Sequence, residues 1–323
     1  MQTEVSTEGT KDSIDVNLEK LEILNGRAEG ASAENVLNAL KQDKVVLVKG
    51  LLPEGADQLM AAVADALHIR NELEIQAGFA SIKGHRQNIG RYYMTVNNRD
   101  NYEFITPHSE GTSAVNMQLA SFYCYENSTD GGESLLFNVD SENPLWSQQR
   151  EQVVKARITK SSVSPVEIAQ GKALFEVDIE KDVLHEDDEI LEQVEVPVDG
   201  IELYNVLSPA RKTYSKILDK ELYAYWDSVA SVDRDSAEEY FRFLTNEKIM
   251  HHPATPLTVE QADVVRARRI WNSGVEYQKL FKSQLTIKLS SGDFVLMNNL
   301  SWVHSANNWT PSSGVRNVSA AFA

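Results

Sequence analysis

The order of apolar and polar positions predicts that the chain begins with a helix, a strand and a second helix. In 33–42 and in 53–68 the apolar residues recur three or four positions apart, a spacing that gathers them on one face of a helix. Between these segments, 44–49 is a valine-rich run that Gly50 ends, which is typical of a buried strand. Residues 1–17 carry no such pattern and are predicted to form a flexible tail.

Strand patterns return later in the chain, and the last of them contains a charge. Strands are predicted where apolar residues alternate with polar ones or form short runs, at 89–96, 115–125, 284–289, 294–297 and 315–322. In the last strand, Arg316 shares a face with Val318, Ala320 and Phe322. A charged group on an apolar face is costly unless it is paired. Arg316 is therefore expected to have an anionic partner.

The segment 140–275 has a different character. A strand is predicted at 153–163, whereas 217–244 carries apolar residues at helical spacing. We therefore divide the chain into the tail, 1–17, and a single domain, 18–323, with a helical insertion at 140–275.

Composition limits the classes of partner. The 323-residue chain is 42% hydrophobic, enough for a sizeable core, and its formal net charge is −17. Because binding to nucleic acid relies on concentrated Lys and Arg, no nucleic-acid partner is expected. No apolar run approaches the ~20 residues of a membrane-spanning helix, so no membrane association is expected. The single cysteine, Cys124, is predicted to fill the core, and together with an N-terminus that lacks a secretory signal it favours a cytoplasmic protein.

A metal site is indicated by His108 and Glu110 together with the distant His304. Residues two positions apart lie on the same face of an extended strand, so His108 and Glu110 can bind one ion. Two histidines and one carboxylate form the facial triad that holds non-haem Fe(II) and leaves coordination positions open. A His-x-Glu sequence alone is common by chance, so the prediction depends on its companions.

Those companions follow in a characteristic order. A polar turn with paired glycines leads into Ser134, a Gly-Asp pair at 292–293 precedes a buried strand, and Arg316 comes twelve positions after His304. In this order of parts, over 40–323, the chain resembles the Fe(II)/2-oxoglutarate-dependent dioxygenases of the taurine dioxygenase and clavaminate synthase-like group. The resemblance implies a mainly β fold with flanking helices, the double-stranded β-helix or jelly roll.

The resemblance also implies an activity and the residues that carry it. His108, Glu110 and His304 would bind Fe(II), while Ser134 and Arg316 would bind the distal carboxylate of the co-substrate 2-oxoglutarate. With O2, an enzyme of this kind oxidises a C–H bond of a small substrate, by default through hydroxylation, and releases succinate and CO2. Desaturation and epoxidation use the same oxidising chemistry and stay open as outcomes.

The resemblance implies a type of reaction, but it leaves the identity of the substrate open. In taurine-type enzymes an arginine four residues beyond the co-substrate arginine binds the sulfonate, but this chain has Ala320 there. An amino-acid, peptide-like or natural-product substrate is therefore favoured. The polar residues Arg91, Asn116 and Gln118 lie in or beside predicted strands and are candidate substrate contacts. By the same resemblance, the insertion at 140–275 is expected to form a lid.

Two hypotheses from other classes are also open. A non-catalytic barrel that binds a metal or a small ligand would have no need of Ser134 and Arg316. A different metalloenzyme of the cupin type would be expected to place more histidines close together and to lack an anion-binding arginine. The pattern of residues does not predict the oligomeric state.

Overall fold

A computed structural model describes residues 15–26, 31–83, 86–96, 107–112, 115–175, 177–195, 200–226, 229–231, 280–307, 309–310 and 312–323. The α-helices of this part of the chain are α1 (Ala33–Lys41), α2 (Pro53–Ala66), α3 (Arg70–Lys83) and α4 (Pro165–Phe175). The strands are β1 (Asp15–Val16), β2 (Leu21–Asn25), β3 (Val45–Lys49), β4 (Met94–Thr95), β5 (Leu119–Asn127), β6 (Ser134–Val139), β7 (Gln149–Ile158), β8 (Glu189–Val194), β9 (Ile201–Pro209), β10 (Thr213–Ser215), β11 (Lys220–Leu222), β12 (Val229–Ser231), β13 (Phe281–Ile287), β14 (Phe294–Asn298), β15 (Trp302–Ala306) and β16 (Arg316–Phe322).

Two sheets form the centre of the fold. The larger has the strand order β2-β3-β14-β5-β16-β4 and the smaller has the order β1-β13-β6-β15. His108 extends the smaller sheet through an antiparallel bridge to His304 in β15. Along the chain, β4 belongs to the larger sheet, His108 to the smaller sheet, β5 to the larger sheet and β6 to the smaller sheet. After the insertion the chain continues through β13, β14, β15 and β16 in the order small, large, small, large. This alternation is the connectivity of a double-stranded β-helix, and it confirms the predicted fold class.

Apolar side chains from both sheets meet in one core. Leu136 and Trp302 of the smaller sheet and Phe122, Val295 and Val318 of the larger are all buried and belong to the same cluster. The alternating in-and-out pattern of strands supplies this face. Cys124 lies in the same core, as predicted.

Helices α1 and α2 pack with β3 in a second apolar cluster beside the larger sheet, which confirms the predicted helix, strand and helix. The hydroxyl of Ser32 accepts a hydrogen bond from the Asn35 N–H and caps α1, and Pro53 occupies the first turn of α2. Helix α3 was not predicted; among its described side chains, Leu73 and Ala77 are buried. In the described ranges no helix is long and apolar enough to cross a membrane.

The structure corrects two predictions for the N-terminal part of the chain, the strand at 89–96 and the end of the tail at 1–17. Of the predicted strand 89–96, only β4 pairs as a strand, because the backbone N–H groups of Arg91 and Tyr92 donate to the Asp57 carboxylate and hold a turn. At the end of the predicted tail, β1 pairs in parallel with β13, while residues 1–14 lie outside the described residues.

The described part of the insertion is mainly β. Strands β12, β7, β9 and β8 form a four-stranded sheet, β10 and β11 form a hairpin, and α4 is its described α-helix. The strand predicted at 153–163 is confirmed in part by β7. The helix predicted at 217–244 is wrong for 217–226 and 229–231, where the chain forms turns, extended segments and the strands β11 and β12. The rest of that prediction lies outside the described residues.

Candidate metal centre

The two histidines of the predicted triad are brought together by main-chain pairing. The N–H of His108 donates to the His304 carbonyl oxygen at 3.2 Å, and the N–H of His304 donates to the His108 carbonyl oxygen at 3.0 Å. The imidazole ring centres lie 4.6 Å apart. The bridge thus fixes residues 196 positions apart in the sequence on one edge of the smaller sheet.

Glu110 completes a cluster of three potential ligand atoms. Its Oε1 lies 3.6 Å from Nε2 of His108 and 3.5 Å from Nε2 of His304. One ligand atom from each of the three residues lies within 4.8 Å of the others. Both histidines are buried, so the donors face an enclosed space. The structure therefore brings together the triad that the sequence predicted.

The protonation of the cluster suits a divalent cation. Burial opposes ionisation of Glu110, but hydrogen bonds with His108 and His304 outweigh it and hold the pKa of Glu110 well below its usual value. Burial lowers the pKa of His304 below its ordinary value. A carboxylate and a neutral imidazole are the forms that bind metal.

Asn299 holds the backbone of Glu110 from both sides. Its Oδ1 accepts from the Glu110 N–H at 2.9 Å, and its Nδ2 donates to the carbonyl oxygens of Glu110 at 2.9 Å and Met117 at 2.8 Å. Directly after Glu110 the chain turns at Gly111, whose φ is +96° and whose missing Cβ would lie 2.4 Å from the Val115 carbonyl oxygen. Only glycine fits this turn without strain.

The triad lines a cavity of about 80 Å³ that also contains the predicted co-substrate residues. Ser134, Arg316, Val318, Ala320 and Phe322 lie on its wall, together with Phe122. Four of these residues come from β16, so the predicted inward face of the last strand is confirmed.

Arg316 is held at the glycine turn that precedes Ser134. Its Nε donates to the Gly132 carbonyl oxygen at 3.0 Å, and its guanidinium carbon lies 6.0 Å from the centre of the Trp309 ring. Gly132 has φ +70°, and a Cβ there would lie 2.9 Å from Arg316 Cδ. Burial lowers the pKa of Arg316 to about 10, so the guanidinium stays charged at neutral pH.

The three candidate substrate contacts are not among the residues that line this cavity. Arg91 pairs with Glu74 at 3.0 Å, and its side chain is 66% exposed. Asn116 and Gln118 both donate to the Tyr214 carbonyl oxygen, at 3.3 and 3.1 Å, and so join the start of β5 to the β10–β11 hairpin. Their role as substrate contacts stays a prediction.

Two functional positions escaped the reasoning from sequence. Asn299, five residues before His304, had no predicted role, and the structure shows its hydrogen bonds with the backbone of Glu110. Arg86, in a turn without a periodic pattern, lines the cavity with Nη2 3.8 Å from Glu110 Oε1. A lone arginine in a polar segment gives no signal that it faces a metal site.

Comparison with known proteins gives structural matches and no sequence match. No model of a protein family matches the chain, and no curated protein does. Among solved structures, PvcB from Pseudomonas aeruginosa is 10% identical, with 93% of this chain and 84% of that chain covered and a TM-score of 0.41. PvcB is described as an Fe, alpha-ketoglutarate dependent oxygenase from an isonitrile synthetic pathway.

Two further solved structures are similar over most of the chain. The non-heme iron oxygenase OrfP in complex with Fe and alpha-ketoglutaric acid is 10% identical, covering 91% of this chain and 79% of its own, with a TM-score of 0.42. AAD-2 in complex with Mn(II) and N-oxalylglycine is 12% identical, covering 93% of both chains, with a TM-score of 0.39. The function of this chain is therefore argued from its own residues.

Proposed function

We propose that this protein is an Fe(II)- and 2-oxoglutarate-dependent oxygenase that oxidises a C–H bond of a small substrate, by default through hydroxylation. The observation that carries the proposal is the shared cavity, whose wall contains the triad of His108, Glu110 and His304 together with Arg316 and Ser134. A non-catalytic ligand-binding barrel gives no reason for a buried metal triad and a charged arginine to meet there.

The donor set fits Fe(II). Two imidazole nitrogens and one carboxylate oxygen lie close together, and three protein ligands of this kind leave coordination positions for other ligands of Fe(II). When bound, Fe(II) with 2-oxoglutarate and O2 would supply the oxidising chemistry and yield succinate and CO2. The protein's own contribution is to hold the donors in their metal-binding protonation states, which the low pKa of Glu110 and the lowered pKa of His304 provide.

Arg316 and Ser134 suit the distal carboxylate of 2-oxoglutarate. The hydrogen bond to Gly132 uses Nε of Arg316, and the planar end of the guanidinium is the group that binds carboxylates in a bidentate manner. The Ser134 hydroxyl on the same wall can donate one further hydrogen bond. The co-substrate would thus be fixed at one end by charge.

Apolar side chains form another part of the wall. Phe122 lies with its ring centre 4.8 Å from that of His304, and Phe322 packs edge-on against Phe122 at 6.4 Å. Val318 and Ala320 complete this surface. An apolar wall beside the metal protects a reactive site from side reactions with solvent.

The insertion is proposed to determine substrate specificity as a lid, and its contacts with the metal motif support this role. The Ser109 N–H, between the two ligands His108 and Glu110, donates to the Tyr225 carbonyl oxygen at 2.6 Å, and Ser109 bridges to Trp226. A second cavity, of about 310 Å³, lies between strands β7 and β9 of the insertion and Thr112, two residues after Glu110. A substrate that binds to the insertion can therefore shift the position of the segment 108–112, which carries two of the three metal ligands.

The proposal is tested by co-substrate turnover with defined variants. Metal-free protein supplied with Fe(II), 2-oxoglutarate and O2 should form succinate, faster when a metabolite pool contains the substrate. Glu110→Ala should abolish succinate formation while the protein remains folded by circular dichroism. Lys41→Ala, an exposed change on α1 away from both cavities, is the control that should retain it. Succinate formation by Glu110→Ala at the parental rate would overturn the proposal.

A further inference from the structure

Arg86 is a second cation on the wall of the metal cavity. Its Nη2 lies 3.8 Å from Glu110 Oε1, its guanidinium carbon lies 5.5 Å from the centre of the Phe322 ring, and its Nη1 contacts Met94 Sδ at 3.7 Å. The side chain is 22% exposed. The guanidinium is therefore largely removed from solvent and directed into the site.

The contacts that the described residues make with Arg86 do not saturate it. A thioether sulfur is a weak acceptor, and 3.8 Å to Glu110 is longer than a hydrogen bond. The same Oε1 of Glu110 faces Nε2 of both histidines, so a metal ion bound there would share its negative charge. A partly buried guanidinium with weak partners favours an added anionic acceptor.

Arg86 and Arg316 lie at different ends of the inward face of β16. Arg86 packs on Phe322, and its neighbour Met94 pairs with Ala320, whereas Arg316 begins the strand. Six residues of extended chain separate the Cα atoms of residues 316 and 322 by roughly 20 Å. A co-substrate carboxylate held by Arg316 thus leaves Arg86 available near the opposite end of this strand.

We infer that Arg86 binds a carboxylate group of the substrate, and that the substrate is a small carboxylic acid. Calling the bound acid a substrate rests on the proposed function, whereas the binding of an acid by Arg86 does not. The formal net charge of −17 repels anions from the protein as a whole, so binding an acid requires a dedicated cation. Arg86 would orient the acid with its carbon skeleton against Phe122 and Phe322.

The test compares acids with their uncharged counterparts. Probes are monocarboxylic acids and L-amino acids, each paired with its primary amide. Binding to Mn(II)-loaded protein is measured by calorimetry with and without 2-oxoglutarate. Acids should bind the parent at least about tenfold more tightly than their amides, and Arg86→Gln should weaken the acids by about 10- to 100-fold while leaving the amides unchanged.

Two further measurements separate substrate binding from a structural role. In Arg86→Gln, the affinities for Mn(II) and 2-oxoglutarate should stay within about threefold of the parent, because Arg86 is not a metal ligand and lies near the opposite end of β16 from Arg316. Loss of a binding contact worth ~1.4 kcal/mol would instead appear as a tenfold change. Arg157→Gln removes a charge on β7, where Arg157 pairs with Glu202, and should leave every affinity unchanged.

The outcomes distinguish this inference from the proposed function. Equal binding of acids and amides by the parent, including binding of neither, overturns the inference, as does an Arg86→Gln variant that loses Mn(II) affinity without losing the preference for acids. If 2-oxoglutarate fails to bind while the acids bind through Arg86, the inference stands and the proposed function falls.

Discussion

Replacing Asn299 by alanine should weaken metal binding although Asn299 is not a ligand. Its side-chain amide makes three hydrogen bonds, two to the backbone of Glu110 and one to the Met117 carbonyl oxygen, and Asn299 is fully buried. At about 1 kcal/mol for each hydrogen bond, the substitution should lower the free energy of unfolding by about 3 kcal/mol. Glu110 would then keep the turn at Gly111 and the backbone pairing of His108 and Ser109, but no hydrogen bonds from Asn299 to its own backbone.

The effect on metal affinity follows from the freedom given to Glu110. Groups that orient a metal ligand without touching the metal typically contribute about 10- to 100-fold to affinity, so Asn299→Ala should weaken Mn(II) binding by that factor. Calorimetric titration of Mn(II) into metal-free protein measures the affinity, and urea denaturation followed by circular dichroism measures the stability.

Asn298→Ala is a matched control in the adjacent position. Asn298 is also fully buried, and its amide makes two hydrogen bonds, with the Ser215 hydroxyl and the Leu300 N–H, but none with Glu110. This variant should lose about 2 kcal/mol of stability and retain its Mn(II) affinity within about twofold. Equal loss of metal affinity in both variants would refute the reasoning, since general destabilisation would then account for it.

The remaining predictions concern the co-substrate pocket and pH. Arg316→Leu should weaken 2-oxoglutarate binding by roughly 30-fold to a few thousand-fold, because leaving a buried charge unpaired costs about 2–5 kcal/mol. Ser134→Ala should weaken the same binding by only about 1 kcal/mol. Calorimetry with Mn(II)-loaded protein checks both, and parental affinity in Arg316→Leu would contradict the assignment. Gly132→Ala should lower the free energy of unfolding by about 1–3 kcal/mol, because φ is +70° and the new Cβ would meet Arg316 Cδ; unchanged stability in urea would contradict this. Burial lowers the pKa of His304 in the folded state below the value of 6.5 that the unfolded chain has, so at a pH below 6.5 the unfolded state binds more protons than the folded state. The metal-free protein should therefore lose stability as the pH falls below 6.5, by at most about 1.4 kcal/mol per pH unit from this group. His304→Gln should show a shallower loss in urea denaturation at the same pH values, and an identical slope would remove the argument.

Local spacing, together with the resemblance to a known family that links His304 and Arg316 to the motif, was sufficient to predict the candidate site. His108 and Glu110 are two residues apart in an extended segment, and the inward face of β16 could be identified because strand residues alternate with period two. Arg316 stood out as a charge on an otherwise apolar face. Each of these inferences needs only the sequence and the geometry of an extended chain.

Contacts between distant segments were not predictable in this way. Arg86 lies beside β16 because the next two residues pair with β4, which itself pairs with β16, and nothing in its local sequence encodes that contact. The bonds of Asn299 to Glu110 likewise span 189 positions. A polar residue's role at such a distance depends on the complete fold.

The helix predicted at 217–244 failed in its described part for a related reason. Leu222 and Trp226 are four positions apart, which is a helical spacing, but Leu222 is buried in β11 and Trp226 is buried beside the metal motif, where it bridges to Ser109. Tertiary burial against the metal loop overrides the local helical preference. The error therefore falls on a segment that contacts the candidate site.

The most direct test of the central claim is the visible spectrum of the anaerobic protein with Fe(II) and 2-oxoglutarate. If the triad holds Fe(II) and the co-substrate chelates it, the parent should develop a metal-to-ligand charge-transfer band that Glu110→Ala lacks and that Arg316→Leu shows only at much higher 2-oxoglutarate concentrations. A well-folded parent protein that shows no such band would contradict the account.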